Sequence, residues 1–129
     1  KVAATGKPMI ISTGMASIAE LDETVQTIRE TGCEQFVLRK CTKYLSATPE
    51  NSNVLTIPHM RELFGCEVGL SDHTMGFGAA VAAVAHGATI IEKHFTLNKG
   101  LPGPDHICSA TPDELAELVR LARLMEKIR

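Results

Sequence analysis

Two short segments carry the side chains best suited to chemistry. Val68-Gly-Leu-Ser-Asp-His-Thr74 offers a hydroxyl and an imidazole two residues apart, Ser71 and His73, and Ile91-Glu-Lys-His-Phe-Thr96 offers a carboxylate and an imidazole at the same spacing, Glu92 and His94. In a β-strand, residues two apart share a face, so each segment would present its pair to one side. Neighbouring parallel strands lie roughly 4.8 Å apart. Two histidines at matching heights on such strands can hold one divalent metal and leave positions open for water and substrate. An arbitrary histidine pair is more often an ordinary loop or strand-end pair. Here the positions at successive strand ends, 21 residues apart, raise the metal reading to comparable standing.

Other groups fall at similar places. Ser12-Thr-Gly-Met15 puts two hydroxyls and a glycine between an apolar run and a helix, a setting in which hydroxyls and backbone N–H groups hold phosphate or simply cap the helix. Lys40 and Lys43 flank Cys41-Thr42 and are candidate anion partners. Asp105 lies in Pro102-Gly-Pro-Asp-His106, where two prolines and a glycine fix its approach; it reads either as an acceptor for sugar hydroxyls or as an exposed acid on a rigid turn. His59 and His86 read as structural, and so do the cysteines, with Cys41 expected in the wall of the fold.

These residues need a scaffold, and the chain supplies four strand-then-helix units. Pro8–Ser12 reads as a strand, followed by the capping box Ser17-Ile-Ala-Glu20, a helix with Leu21, Val25 and Ile28 in phase, and a stop at Gly32. Next come a strand over Gln35–Cys41, a polar loop over Thr42–Asn53 and a short helix over Pro58–Phe64. The third unit is a strand over Glu67–Ser71 and an Ala-rich helix over about Phe77–His86. The fourth is a strand over Ala88–Lys93, a long loop, and a helix opening with the capping box Thr111-Pro-Asp-Glu114. Such alternation implies a parallel α/β sheet with right-handed crossovers. It is either a small doubly wound sheet or half of a (β/α)8 TIM barrel, which takes about 250 residues when complete. Both place chemistry at the carboxyl ends of the strands, where the residues named above fall.

Composition narrows the function classes. The 129 residues are 44% hydrophobic and 22% charged, with 13 Lys+Arg against 15 Asp+Glu for a formal net charge of −2. That balance gives no broad attraction to nucleic acid or anionic lipid, and with no Trp and one Tyr there is no stacking platform for single strands. No apolar run approaches the roughly 20 residues of a membrane span. Four widely spaced cysteines fit reduced thiols in a cytoplasmic protein better than a disulfide or zinc framework. The start at Lys1, with no Met and no signal pattern, reads as an internal segment or a processed product.

Taken in order, Ile11-Ser-Thr-Gly-Met15, Lys40-Cys-Thr42, Ala47-Thr-Pro-Glu-Asn51, Gly69-Leu-Ser-Asp-His-Thr74, Ile91-Glu-Lys-His-Phe-Thr96 and Pro102-Gly-Pro-Asp105 resemble the sialic acid synthase family, which includes the N-acetylneuraminate, legionaminate and pseudaminate synthases. The resemblance implies that residues 1–129 are strands five to eight of a (β/α)8 barrel, without its N-terminal half and without the small antifreeze-like domain that usually follows. It implies a metal-dependent transferase that condenses phosphoenolpyruvate with an N-acetylated aldose, giving a nine-carbon 2-keto sugar acid and phosphate by C–O cleavage. His73 and His94 would be ligands of a divalent metal, Mn2+ first and Mg2+ or Co2+ next. Ser12 and Ser71, with Thr13 and Lys43 beside them, would bind the phosphate, Asp105 the acceptor sugar, and Glu92 would lie beside the metal and its water. The family is dimeric, so a homo-oligomer is expected. Lys43-Tyr44-Leu45 departs from the family pattern, with Lys43 where Ser or Asn is usual and Leu45 where Tyr is usual. The other reading is a non-catalytic metal- or phosphate-binding α/β module.

Overall fold

A computed structural model describes residues 1–42 and 47–129. Strands β1 (Met9–Ser12), β2 (Phe36–Cys41), β3 (Glu67–Asp72) and β4 (Ile91–Lys93) alternate with helices α1 (Ile18–Glu30), α2 (Thr56–Phe64), α3 (Gly78–Ala85) and α4 (Pro112–Ile128). A 3-10 turn at Pro49–Asn51 lies between β2 and α2. All pairings are parallel, and the strands lie in chain order, β1-β2-β3-β4.

That order settles the architecture. Right-handed crossovers that always step to the next strand in the same direction lay every helix on one face. A doubly wound sheet reverses direction and covers both faces. Here Phe36, Leu38, Val68 and Leu70 bury one sheet face against Leu21, Val25 and Ile28 of α1, Ile57, Met60 and Phe64 of α2, and Ala83 of α3. The opposite face carries Ile10, Ser12, Arg39, Cys41, Ser71 and Glu92, of which Ile10 is 58% exposed. This is the curled wall of a half-barrel, with helices outside and a mostly polar inner face.

The local signals act as read. Ser17 and Glu20 form a reciprocal capping box at α1, and Thr111 and Glu114 form another at α4. α2 starts two residues before Pro58, because a proline in the first helical turn gives up an N–H that has no partner there anyway. α3 holds the whole alanine-rich run and is one residue shorter at each end than expected, with Phe77 and His86 at the cap positions and Gly87 following at φ 93°. β4 is shorter than expected. Thr89 N–H still donates to Val68 O and Leu70 N–H to Ile90 O, but Ala88 N–H turns away to Ala83 O.

The amino ends of the strands are stitched by arginines. Arg29 Nη2 donates to Phe64 O at 2.6 Å and Gly65 O at 3.2 Å, capping α2. Arg61 donates to Gly87 O after α3 and to Glu67 Oε2 at 3.0 Å. Arg129 Nη1 donates to Val84 O at 3.2 Å. Each link ties the carboxyl end of α2 or α3 to the next unit or the one before, and supplies donors to carbonyls there that have no intrahelical partner.

Candidate active site at the strand carboxyl ends

Register determines which polar residues meet. Ser71 of β3 lies opposite Glu92 of β4, and Asp72 opposite Lys93. Two residues beyond the first pair, His73 and His94 continue on the same inner face just past the strand ends. Their ring centroids are 5.2 Å apart with the planes tilted by 57°. Below them Ser71 Oγ donates to Glu92 Oε1 at 2.7 Å, and Arg39 of β2 forms an ion pair with Glu92 Oε2. Four of the expected site residues therefore converge across two adjoining strands.

The outer side of the same strand ends holds these groups in place. Asp72 and Lys93 form an ion pair of 2.9 Å whose side chains are 1% and 3% exposed. Asp72 Oδ1 also accepts from Thr74 N–H at 2.9 Å and from the Thr74 hydroxyl at 2.8 Å, and Lys93 Nζ donates to Thr74 O at 2.8 Å. Asp72 and Thr74 bracket His73, while Lys93 lies between Glu92 and His94. The backbone that carries both imidazoles is thus pinned from behind. Lys93 and Asp72 were not singled out from sequence; the alternation of Asp72 with Ser71 and His73, and of Lys93 with Glu92 and His94, was the available signal.

The remaining candidates are distributed around this centre. Ser12 ends β1 on the inner face and accepts from Gly14 N–H at 3.4 Å. Thr13 uses both its N–H and its hydroxyl on Arg39 O, each at 3.0 Å, which ties the exit of β1 to β2. Asp105 lies in the loop after β4, half-buried, with its carbonyl accepting from Ser109 Oγ at 2.7 Å and Cys108 Sγ at 3.3 Å. In the same loop the Thr96 hydroxyl and His106 Nδ1 are 2.8 Å apart. Lys43 lies outside the described residues. Lys40 does not serve as an inner-face anion partner, because it alternates with Arg39 and Cys41 and points outward. It is buried there, with Nζ bonded to Thr42 Oγ1 and Ser52 O, and burial pushes its ammonium below the usual lysine range.

The donor chemistry fits a divalent cation in part. With metal–nitrogen distances of about 2.0–2.1 Å, two imidazoles sharing one ion have centroids roughly 4.5–5.2 Å apart, and the His73–His94 separation falls at the upper end of that span. No cluster of three or more His, Cys, Asp or Glu suited to a metal occurs among the described residues. From the described residues, His73 and His94 are the pair that could face one ion. No helix of the described residues is long and apolar enough to cross a membrane.

A parallel half-barrel whose polar side chains gather at the carboxyl ends of its strands has the layout of a TIM-barrel enzyme. The chain matches the NeuB family over residues 1–129 and belongs to it. An uncharacterized protein of Methanocaldococcus jannaschii is 46% identical over 128 residues, covering 99% of this chain and 38% of that protein. The N,N'-diacetyllegionaminic acid synthase of Campylobacter jejuni is 39% identical over 129 residues, covering 98% of this chain and 39% of that protein. The crystal structure of the spore coat polysaccharide biosynthesis protein SpsE of Bacillus subtilis matches with a TM-score of 0.93 at 42% identity, covering 98% of this chain and 36% of that one. The N-acetylneuraminic acid synthetase of Leptospira borgpetersenii, solved with citrate, also matches with a TM-score of 0.93, at 34% identity over 98% of this chain and 44% of that one. The chain spans about two fifths of the length of these relatives.

Proposed function

We propose that this chain forms part of the catalytic barrel of a synthase that condenses phosphoenolpyruvate with an N-acetylated aldose, giving a nine-carbon 2-keto sugar acid and phosphate. The observation that carries the reading is the His73–His94 pair above the Ser71–Glu92 pair on adjoining strands, in a chain of the NeuB family. His73 and His94 would hold a divalent metal, Mn2+ first among them. When bound, such a cation supplies Lewis-acid polarisation of a carbonyl oxygen.

The chain's own residues do the rest. Ser12 faces the inner side at the end of β1, where a hydroxyl donor suits a phosphate. Glu92 is held from below by Ser71 and Arg39, and in this reading it lies beside the metal and its water. Thr13 fixes the β1 exit and thereby the height of Ser12. Asp105 is assigned to the hydroxyls of the acceptor sugar. The four free cysteines suit a reducing cytoplasm, and the two open sheet edges suit assembly into a larger barrel and a homo-oligomer.

The test is phosphate release from phosphoenolpyruvate with N-acetylmannosamine and its modified relatives, by the protein that carries these residues. Release with Mn2+, abolished by His73→Ala or His94→Ala, is the expected result. The 129 residues alone are expected to turn over weakly or not at all. Mn2+ titration of the same variants reads the site without activity: undiminished affinity in both removes the pair from the ligand set. Metal or phosphate binding with no condensation of any N-acetylated aldose would favour the non-catalytic module.

A further inference from the structure

Arg39 is given no role in substrate or metal binding above, yet it is the charged side chain that the inner wall directs at Glu92. It sits on β2 with its side chain 16% exposed, opposite Ser12 of β1 and Gly69 of β3. Glu92 is on β4, so the pair spans an intervening strand, a backbone separation of roughly 10 Å. The register sets Gly69, which has no side chain, beside Arg39 and Ser71 beside Glu92, so the diagonal between the pair crosses β3 between these two residues. The two oxygens of Glu92 are then engaged from two different strands, Oε2 by Arg39 and Oε1 by the Ser71 hydroxyl.

This ion pair contributes little as a stability device. Glu92 is 52% exposed, and pairs of that exposure are worth about 0–1 kcal/mol. What the arrangement does instead is fix a carboxylate. Left alone, a half-exposed glutamate in the middle of a three-residue strand samples several rotamers. Held at both oxygens, it has one.

We propose that Arg39 is a positioning residue which, together with Ser71, clamps the Glu92 carboxylate beneath the histidine pair. The catalytic consequence rests on the synthase reading; the clamp itself does not. In the protein that carries these residues, the Glu92 side-chain carboxylate 13C resonance should move in Arg39→Leu and in Ser71→Ala while the backbone spectrum and the melting temperature stay near wild type. A Glu92 resonance that ignores both substitutions overturns the clamp.

Kinetics test its purpose. Loss of positioning costs about 100-fold in rate for a displacement near 1 Å, so Arg39→Leu should lower kcat by about that factor with KM for phosphoenolpyruvate within about threefold. Arg39→Lys, which keeps the charge without the planar fork, should restore part of it. In a Glu92→Gln background, Arg39→Leu should cost little more. An undiminished effect in that background, or a raised KM with unchanged kcat, overturns positioning and makes Arg39 a direct substrate ligand. If wild type shows no turnover while the Glu92 resonance still responds, the synthase reading fails and the clamp stands.

Discussion

Replacing Lys93 with Met removes one charge from the pair behind the histidines and leaves Asp72 in place. At 2.9 Å, two unit charges attract by about 6 kcal/mol at an effective dielectric near 20, and removing one partner of a buried pair costs about 3–5 kcal/mol because the other charge is stranded. Asp72 would keep its two bonds from Thr74, which places the loss at the lower end, about 3 kcal/mol. For a chain of this length that corresponds to a fall in Tm of roughly 10–15 °C. Urea denaturation read by far-UV circular dichroism measures it. Lys93→Met combined with Asp72→Asn removes both charges while the amide Oδ1 can still accept from the Thr74 N–H and hydroxyl, and it should recover much of the stability because no buried charge is left stranded. A single variant within about 1 kcal/mol of wild type would refute the reasoning, as would a double variant less stable than the single one. Should Lys93→Met fail to fold, recovery of a folded chain in the double variant carries the test.

Three further outcomes follow from the geometry. Gly69→Ala should destabilise by about 1–3 kcal/mol, because a Cβ there would stand 2.5 Å from Ile90 O, a backbone atom that cannot swing aside; equilibrium unfolding checks it. Thr111→Ala removes one arm of the α4 capping box and should cost about 1 kcal/mol, seen as a lower denaturation midpoint with an unchanged slope. Lys40 is held below its ordinary value of 10.5 chiefly by burial, so its charged form penalises the fold fully below the depressed folded value, and the penalty fades as pH rises toward 10.5. Relative to Lys40→Met, wild type should therefore gain stability with rising pH across that window, and a constant or falling difference in unfolding midpoint would contradict the assignment.

Local rules made much of this molecule readable from its residues. The capping boxes at Ser17 and Thr111 involve partners three residues apart, and the alternation that puts His73 with Ser71 and His94 with Glu92 is a property of one strand at a time. Counting units left a small doubly wound sheet and a half-barrel both open, and the chain-order sheet decides for the half-barrel. Arg39 was not readable, because its partner lies two strands away and only the register across β3 relates them. Lys40 misled for a related reason: a cation at a strand end is equally consistent with either face until parity with Cys41 and Ser71 is known. Asp72 and Lys93 look like surface charges in a linear reading, and only the packing of the outer layer shows that they are buried together.

β4 has a further consequence. Among the described residues it is a three-residue strand paired with β3 alone, followed by a single bridge from Phe95 to Ala110, yet it and the residue after it bring two members of the candidate site. Amides at such an edge exchange with solvent through small local openings, whereas those of β2 and β3 wait for larger ones. Any ion or substrate that engages His94 and Glu92 in the closed state therefore adds its binding free energy to the edge itself, by RT ln(1 + [L]/Kd). Ligand occupancy and the order of the sheet margin are thus two readings of one equilibrium, and slowed amide exchange at Glu92–His94 would report binding where no reaction is under way.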